Sequence, residues 1–363
     1  MKEQERGWTL GYDIFSRYRS ELMGLAMLWV LLYHVFHLTP QTPWLQELKK
    51  MGYLGVDIFI FLSALGLGLS LCRKKQSYGA YLKRRLVRVL PLYWLVTGLY
   101  GLFLRLMGET SVKTVAWTMS TFFYWFDRPN YFNWYIPGLL FFYLLAPACT
   151  ALLLRSKHRG WLVAVISILV FPVFHYAEFH NLTYLGDVIK RIPVFLMGTV
   201  AGIHIAQGKR LTPRDLWLWA TLPFLVPVVK PLVFPYYLPT SLAFAFGCVA
   251  VCLLLAGGVS VLPKKGVGQA LSLLGRCSLE IYLLNVVIVR EYDRLSALIP
   301  PGIHHRTLIY YAVTVAANIA LGIALHYALE RPMAWLSAKI TGSASPSRPP
   351  EGAGYSAEDR SGR

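Results

Sequence analysis

The chain has 363 residues, 56% of them hydrophobic and 15% charged, with a mean hydropathy of +0.47. Soluble globular domains carry about 25% charged residues, so a soluble enzyme is excluded, and five scattered cysteines exclude a disulfide scaffold. A net charge of +18 would suit nucleic acid on one soluble face, but here Lys and Arg fall in short loops between apolar runs, which argues against that partner.

With about 20 apolar residues per crossing, the pattern predicts an all-α fold, a polytopic helical membrane protein of about ten transmembrane helices. They fall near 22–40, 52–71, 88–107, 134–154, 160–178, 192–207, 215–234, 240–262, 278–297 and 307–329. Residues 1–21 read as a cytoplasmic N-terminal segment without a small-residue cleavage motif, so no removable signal peptide is expected. Residues 22–340 form the ten-span domain, and the polar stretch 341–363 reads as a disordered cytoplasmic tail. Most of the 36 Lys and Arg residues lie at the N-terminus, in the even-numbered turns and in the tail, which puts both termini in the cytoplasm.

In the first span, His34 ends a long apolar run and falls in the outer half of the bilayer. Asp57 enters the second span from the outer end at a matching depth, so the two are candidates to meet. A carboxylate on one ring nitrogen would fix the tautomer and raise the basicity of the other, the geometry of a general base. The alternative is a packed helix histidine and a structural acid. His37 shares the face of His34, but two histidines without a third ligand make a poor metal site, and no metal is expected.

The stretch from Gly55 to Trp94 organises the chain, an apolar run with the single acid Asp57 followed by a dense basic cluster. Arg84, Arg85 and Arg88 stand at the inner start of the third span, where planar guanidinium forks suit phosphate oxygens. A positive-inside anchor touching lipid headgroups is the other reading, and it takes Lys74 and Lys75. Pro91 breaks the backbone ladder just beyond and can turn the cluster toward a cavity.

Residues 108–133 are too mixed to cross and suit an outer interfacial segment. Trp134 and Tyr135 open the fourth span and fit the interfacial aromatic belt better than a cavity lining. Glu280 lies near the inner end of the ninth span with Asn285 deeper, and Glu330 and Arg331 close the tenth. Either acid is a candidate partner for Arg84 or Arg88.

Taken together, MGLAMLWVLLYH with His34, GVDIFIFLSA with Asp57 and Ser63, RRLVRVLPLYW with Arg85 and Arg88, GRCSLEIYLL and the closing LERP resemble the acyltransferase-3 family of integral membrane proteins. The resemblance implies a cytoplasmic acyl-CoA donor, usually acetyl-CoA, and transfer of the acyl group to a hydroxyl of a cell-surface polysaccharide or glycolipid. It also implies a multi-pass protein of a bacterial plasma membrane, in contact with membrane lipid. His34 would be the catalytic histidine and Arg85 and Arg88 the donor-site pair, with Arg84 beside them and Asp57 assisting. Met23 stands where members often carry arginine, the WYIPGLLFFY segment lacks the acid of many members, and Asn285 replaces a frequent histidine. Ser63 is a second acyl-accepting candidate, or a serine bonded to its own helix. A glycan or lipid-linked-substrate flippase and an inactive sensor are the competing functions.

Overall fold

In hydrocarbon every backbone N–H and C=O must be satisfied within its own segment, so long apolar runs become helices. The computed structural model describes residues 11–34, 43–126, 133–180, 182–212, 240–297 and 308–342. Among these residues the regular structure is helical, with one isolated backbone bridge between Gly11 and Arg210. The principal helices are α1 (Arg19–Tyr33), α2 (Leu54–Arg73), α3 (Tyr78–Leu106), α4 (Tyr135–Arg155) and α5 (Arg159–Phe179). They continue as α6 (Ile192–Ala206), α7 (Thr240–Val261), α8 (Gln269–Arg276), α9 (Ser278–Arg290) and α10 (Leu308–Thr341).

Six helical stretches among the described residues are long and apolar enough to cross a membrane, and seven if a bent pair is one span. They include the second to sixth expected spans and the tenth. The first is the 15-residue α1, and the eighth keeps a shorter apolar helix, Gly247–Val261. The ninth is the bent pair, in which Lys264–Arg276 and Ser278–Arg290 meet at 68°. The seventh, near 215–234, and the expected tail beyond 342 lie outside the described residues. Helix α10 runs on past Glu330 and through Pro332 to Thr341, where Lys339 Nζ stands 5.0 Å from the Trp335 ring centroid.

α2 is the central element, with every residue from Leu54 to Leu62 buried. Because lipid tails are as apolar as Leu, helices in a bilayer associate by close packing at small residues. Gly55 of α2 lies against the Ala26 carbonyl of α1, and Gly198 and Gly202 of α6 lie against the Phe61 and Leu65 carbonyls. Gly24 and Gly275 bring α1 and α8 together in the same way, each against a backbone carbonyl of the other helix, those of Leu271 and Ser20.

Residues 108–126 form no crossing. The short helix Val112–Met119 folds back on the C-terminal half of α3, where Trp94 Nε1 donates to the Met119 carbonyl (2.9 Å) and Tyr93 Oη to that of Thr118 (2.7 Å).

Candidate active site

His34 is the C-cap of α1, its backbone N–H donating to the Val30 carbonyl at 3.1 Å. Its ring Nδ1 lies 2.8 Å from Nδ2 of Asn285, in the middle of α9. Asn285 Oδ1 in turn accepts from Nδ2 of Asn318 on α10 at 3.2 Å. Both asparagines are buried, 4% and 1% exposed.

Asp57 does not serve His34 in this arrangement, which corrects the expected pairing. Its Oδ1 stands 2.9 Å from Nε of Arg191, and both side chains are 3% exposed. The reason is angular. Gly55 faces α1, and two residues further along a helix the side chain has turned by about 200°. Asp57 therefore looks away from α1 and lies in the row with Phe61 and Leu65, the residues that meet α6. Arg191, just before the first turn of α6, also donates to the Asp187 carbonyl (2.7 Å) and stacks on Trp134, 4.3 Å from its ring centroid.

Arg19 at the start of α1 and Arg85 and Arg88 in the first half of α3 lie close enough to the buried Tyr143 to act on it electrostatically, and Arg19 and Arg88 act on Tyr135 as well. Arg19 lays its guanidinium over Gly66, where a methyl group would stand 3.4 Å from Cζ and from both terminal nitrogens. Its Nε is buried without a hydrogen-bond partner. Arg85 Cζ lies 5.8 Å from the ring of Tyr81, whose hydroxyl donates to the Tyr143 carbonyl at 3.1 Å. Among the described residues no carboxylate pairs with Arg19, Arg85 or Arg88. Arg84 and Arg88 are exposed, and Arg19 and Arg85 are half-buried. Glu280 is taken by His326 instead, Nδ1 to Oε1 at 2.9 Å, so it is no partner for the arginines.

Between the two ends lies an aromatic tier. The Tyr135 ring meets Tyr282 edge-on at 5.0 Å and Phe59 at 6.5 Å. Tyr135 is 9% exposed, so it is an interior residue and not part of the interfacial belt. His34 and Arg19 are connected through α1 itself. Fifteen residues of helix separate them by about 22 Å and bring their faces within about 60°. The same helix thus carries the histidine at one end and a guanidinium at the other.

A cavity of about 580 Å³ lies between the C-terminal ends of α3 and α9, lined by Tyr100, Glu109, Thr114, Arg290, Glu291 and Arg294. Glu291 is turned by about 240° from Asn285 along α9, so this cavity opens on the other side of the helix from His34. Among the described residues no group of three His, Cys, Asp or Glu is placed to hold a metal ion. Ser63 is half-buried within α2, and His37 lies outside the described residues.

Sequence reasoning missed Arg19, Asn285 as a partner, Asn318 and Arg191. Arg19 had a legible signal, its 15-residue spacing from His34 on one face of an apolar helix. Asn318 had one as well, as the single amide in the apolar run from Tyr311 to Leu325. A polar side chain inside a span needs a partner, and the nearest candidates are on neighbouring helices.

The described residues form a helical bundle in which α1 carries a half-buried histidine at one end and, at the other, Arg19, which no described carboxylate pairs; with its long apolar helices this is the build of a multi-pass membrane protein. The family model for the acyltransferase-3 group, an acyltransferase domain, matches residues 22–327. The chain belongs to this family and is a membrane acyltransferase. No curated protein and no solved structure matches it.

Proposed function

We propose that this acyltransferase moves an acyl group, acetyl in the first instance, from cytoplasmic acyl-CoA to a hydroxyl of a cell-surface polysaccharide or glycolipid. The observation that carries this reading is that Arg19, Arg85 and Arg88 all lie within electrostatic range of Tyr143, with no carboxylate paired to any of them among the described residues. Arg19 and Arg85 are half-buried and Arg88 is exposed; guanidiniums that no carboxylate among the described residues neutralises suit an anion of several charges, and the phosphates of coenzyme A meet that need.

His34 then acts as general base. It takes the proton of the acceptor hydroxyl as that oxygen attacks the thioester carbonyl, and gives the proton to the departing thiolate. Asp57 is assigned a structural role through Arg191, and Arg84 a contact with lipid headgroups at the membrane surface.

The test is transfer of radiolabelled acetyl from acetyl-CoA to envelope glycans in cells expressing wild type, His34→Ala, or Arg85→Ala with Arg88→Ala. Label with wild type and its loss in both variants, at equal expression, is the expected result. Label persisting in His34→Ala would remove that residue as the base. The broken helix at Cys277 is a feature that transporters share, so absence of label from every acyl-CoA tried would turn the reading to a flippase.

A further inference from the structure

We infer that Asn285, backed by Asn318, is the positioning group of His34, and that it sets the reactive nitrogen by the direction of a two-amide relay. This rests on the reading of His34 as general base. A neutral imidazole has one donor and one acceptor nitrogen, and its partner decides which is which. A carboxamide differs from a carboxylate because it can present either an N–H or a carbonyl to the ring.

In the structure the relay runs toward the histidine. Asn318 Nδ2 donates to Asn285 Oδ1, and Asn285 Nδ2 donates to His34 Nδ1. That direction makes Nδ1 the acceptor and places the ring proton on Nε2. Nε2 can then donate a hydrogen bond, but it has no lone pair with which to take a hydroxyl proton.

Turning both carboxamides over keeps every heavy atom in place and reverses the direction. His34 Nδ1–H then donates to Asn285 Oδ1, and Asn285 Nδ2 donates to Asn318 Oδ1. That last oxygen is buried and without a partner in the first direction; the reversal pairs it and puts Asn318 Nδ2 in the unpartnered position instead. Nε2 is now bare and can accept the proton of the acceptor hydroxyl. The hydroxyl oxygen bonds to the acyl carbon, the C–S bond breaks, and the proton on Nε2 passes to the coenzyme A thiolate. Throughout, Nδ1–H stays bonded to Asn285.

A neutral partner also suits the place. A buried carboxylate here would need a cation of its own, as Asp57 needs Arg191. The relay orients the ring without one. Asn285 also stands one turn from Tyr282, which packs on Tyr135, so α9 holds the amide in register with the aromatic tier.

The experiment is the pH–rate profile of acetyl transfer from acetyl-CoA by the full chain reconstituted in vesicles, with folded yield measured by gel filtration. Asn285→Leu removes the relay and is expected to lower the rate about 10- to 100-fold, less than the roughly 100- to 10,000-fold of a whole general base because His34 itself remains. Asn285→Asp keeps a partner but places a carboxylate on Nδ1, which favours the imidazolium. Transfer then requires a higher pH, and the acid limb of the profile moves up by about one unit. Asn318→Asp, buried without a cation, is held protonated, and its carbonyl oxygen can still accept from Asn285 Nδ2, so it supports the reversed direction and retains activity within about threefold, whereas Asn318→Leu loses it.

An unmoved acid limb in Asn285→Asp would overturn the inference. So would equal losses in the Asp and Leu variants at position 318, both folded. If Asn318→Asp does not fold, the profile of Asn285→Asp decides alone. Wild-type transfer that survives His34→Ala would sink the general-base reading itself. Transfer that depends on His34 but ignores both asparagines would sink only the relay.

Discussion

Asp57→Ala separates a structural acid from a catalytic one. The Asp57–Arg191 pair is 3% exposed on both sides with 2.9 Å between the charged atoms. Removing one partner of such a buried pair costs about 3–5 kcal/mol because the other charge is left uncompensated. Arg191 retains the Asp187 carbonyl, an Asp187 carboxylate oxygen at 3.5 Å and the Trp134 ring, which sets the loss at the low end, about 3 kcal/mol. That is about a hundredfold in the folding equilibrium. The assay is thermal unfolding in detergent alongside acetyl transfer. Asp57→Ala is expected to melt early and lose activity in proportion to folded protein. The double variant Asp57→Leu with Arg191→Met, which replaces the pair with apolar groups of similar size, should recover both, since such swaps are often neutral or stabilising. A double variant that is folded but as inactive as His34→Ala would refute the reasoning and return Asp57 to the chemistry.

Arg19→Ala should raise KM for acetyl-CoA about 10- to 100-fold with little change in kcat, from the ~1.5–3 kcal/mol of a hydrogen bond to a charged group. Arg84→Ala, on the exposed side, should stay within about twofold in the same steady-state assay. Gly66→Leu places a side chain where the Arg19 guanidinium lies. It should reproduce the KM defect of Arg19→Ala, and unchanged KM in a folded Gly66→Leu would show that Arg19 does not need its seat on α2.

The helical class and most of the spans were legible because hydropathy is a local property. Partner choice was not. Depth along the membrane matched for His34 and Asp57, but the face of α2 that each residue presents depends on which helix lies against it. The glycines at 198 and 202 draw α6 onto the Asp57 side, and a single sequence does not say which apolar helix will use them. Tyr135 shows the same limit. At the outer start of a span an aromatic reads as belt, and only the arrival of α9 with Tyr282 makes it interior. Glu280 and Asn285 were both visible as polar residues in a span, yet their partners His326 and His34 lie 46 and 251 positions away. The break at Cys277 is what turns α9 so that Asn285 meets α1, and nothing in the local pattern GRCSLE announces a 68° bend.

The separation between the two ends of the site carries one more consequence for the donor. Arg19 and His34 are fixed on one helix about 22 Å apart, and α1 is clamped by Gly24 against α8 and by Gly55 of α2, so the separation is rigid. A donor whose anionic group rests on the guanidiniums must carry its acyl carbon most of that length to reach the histidine. Coenzyme A does so by construction, with a long flexible pantetheine arm between its phosphates and its thioester. Acetyl phosphate places the same two groups next to each other and cannot occupy both ends at once. It is chemically the more activated acetyl donor in water, so reactivity alone would favour it. On the geometry, vesicles supplied with labelled acetyl phosphate should transfer no label above the His34→Ala background, while acetyl-CoA at equal concentration does. Equal transfer from both would mean that the arginine cluster and His34 do not hold two ends of one donor.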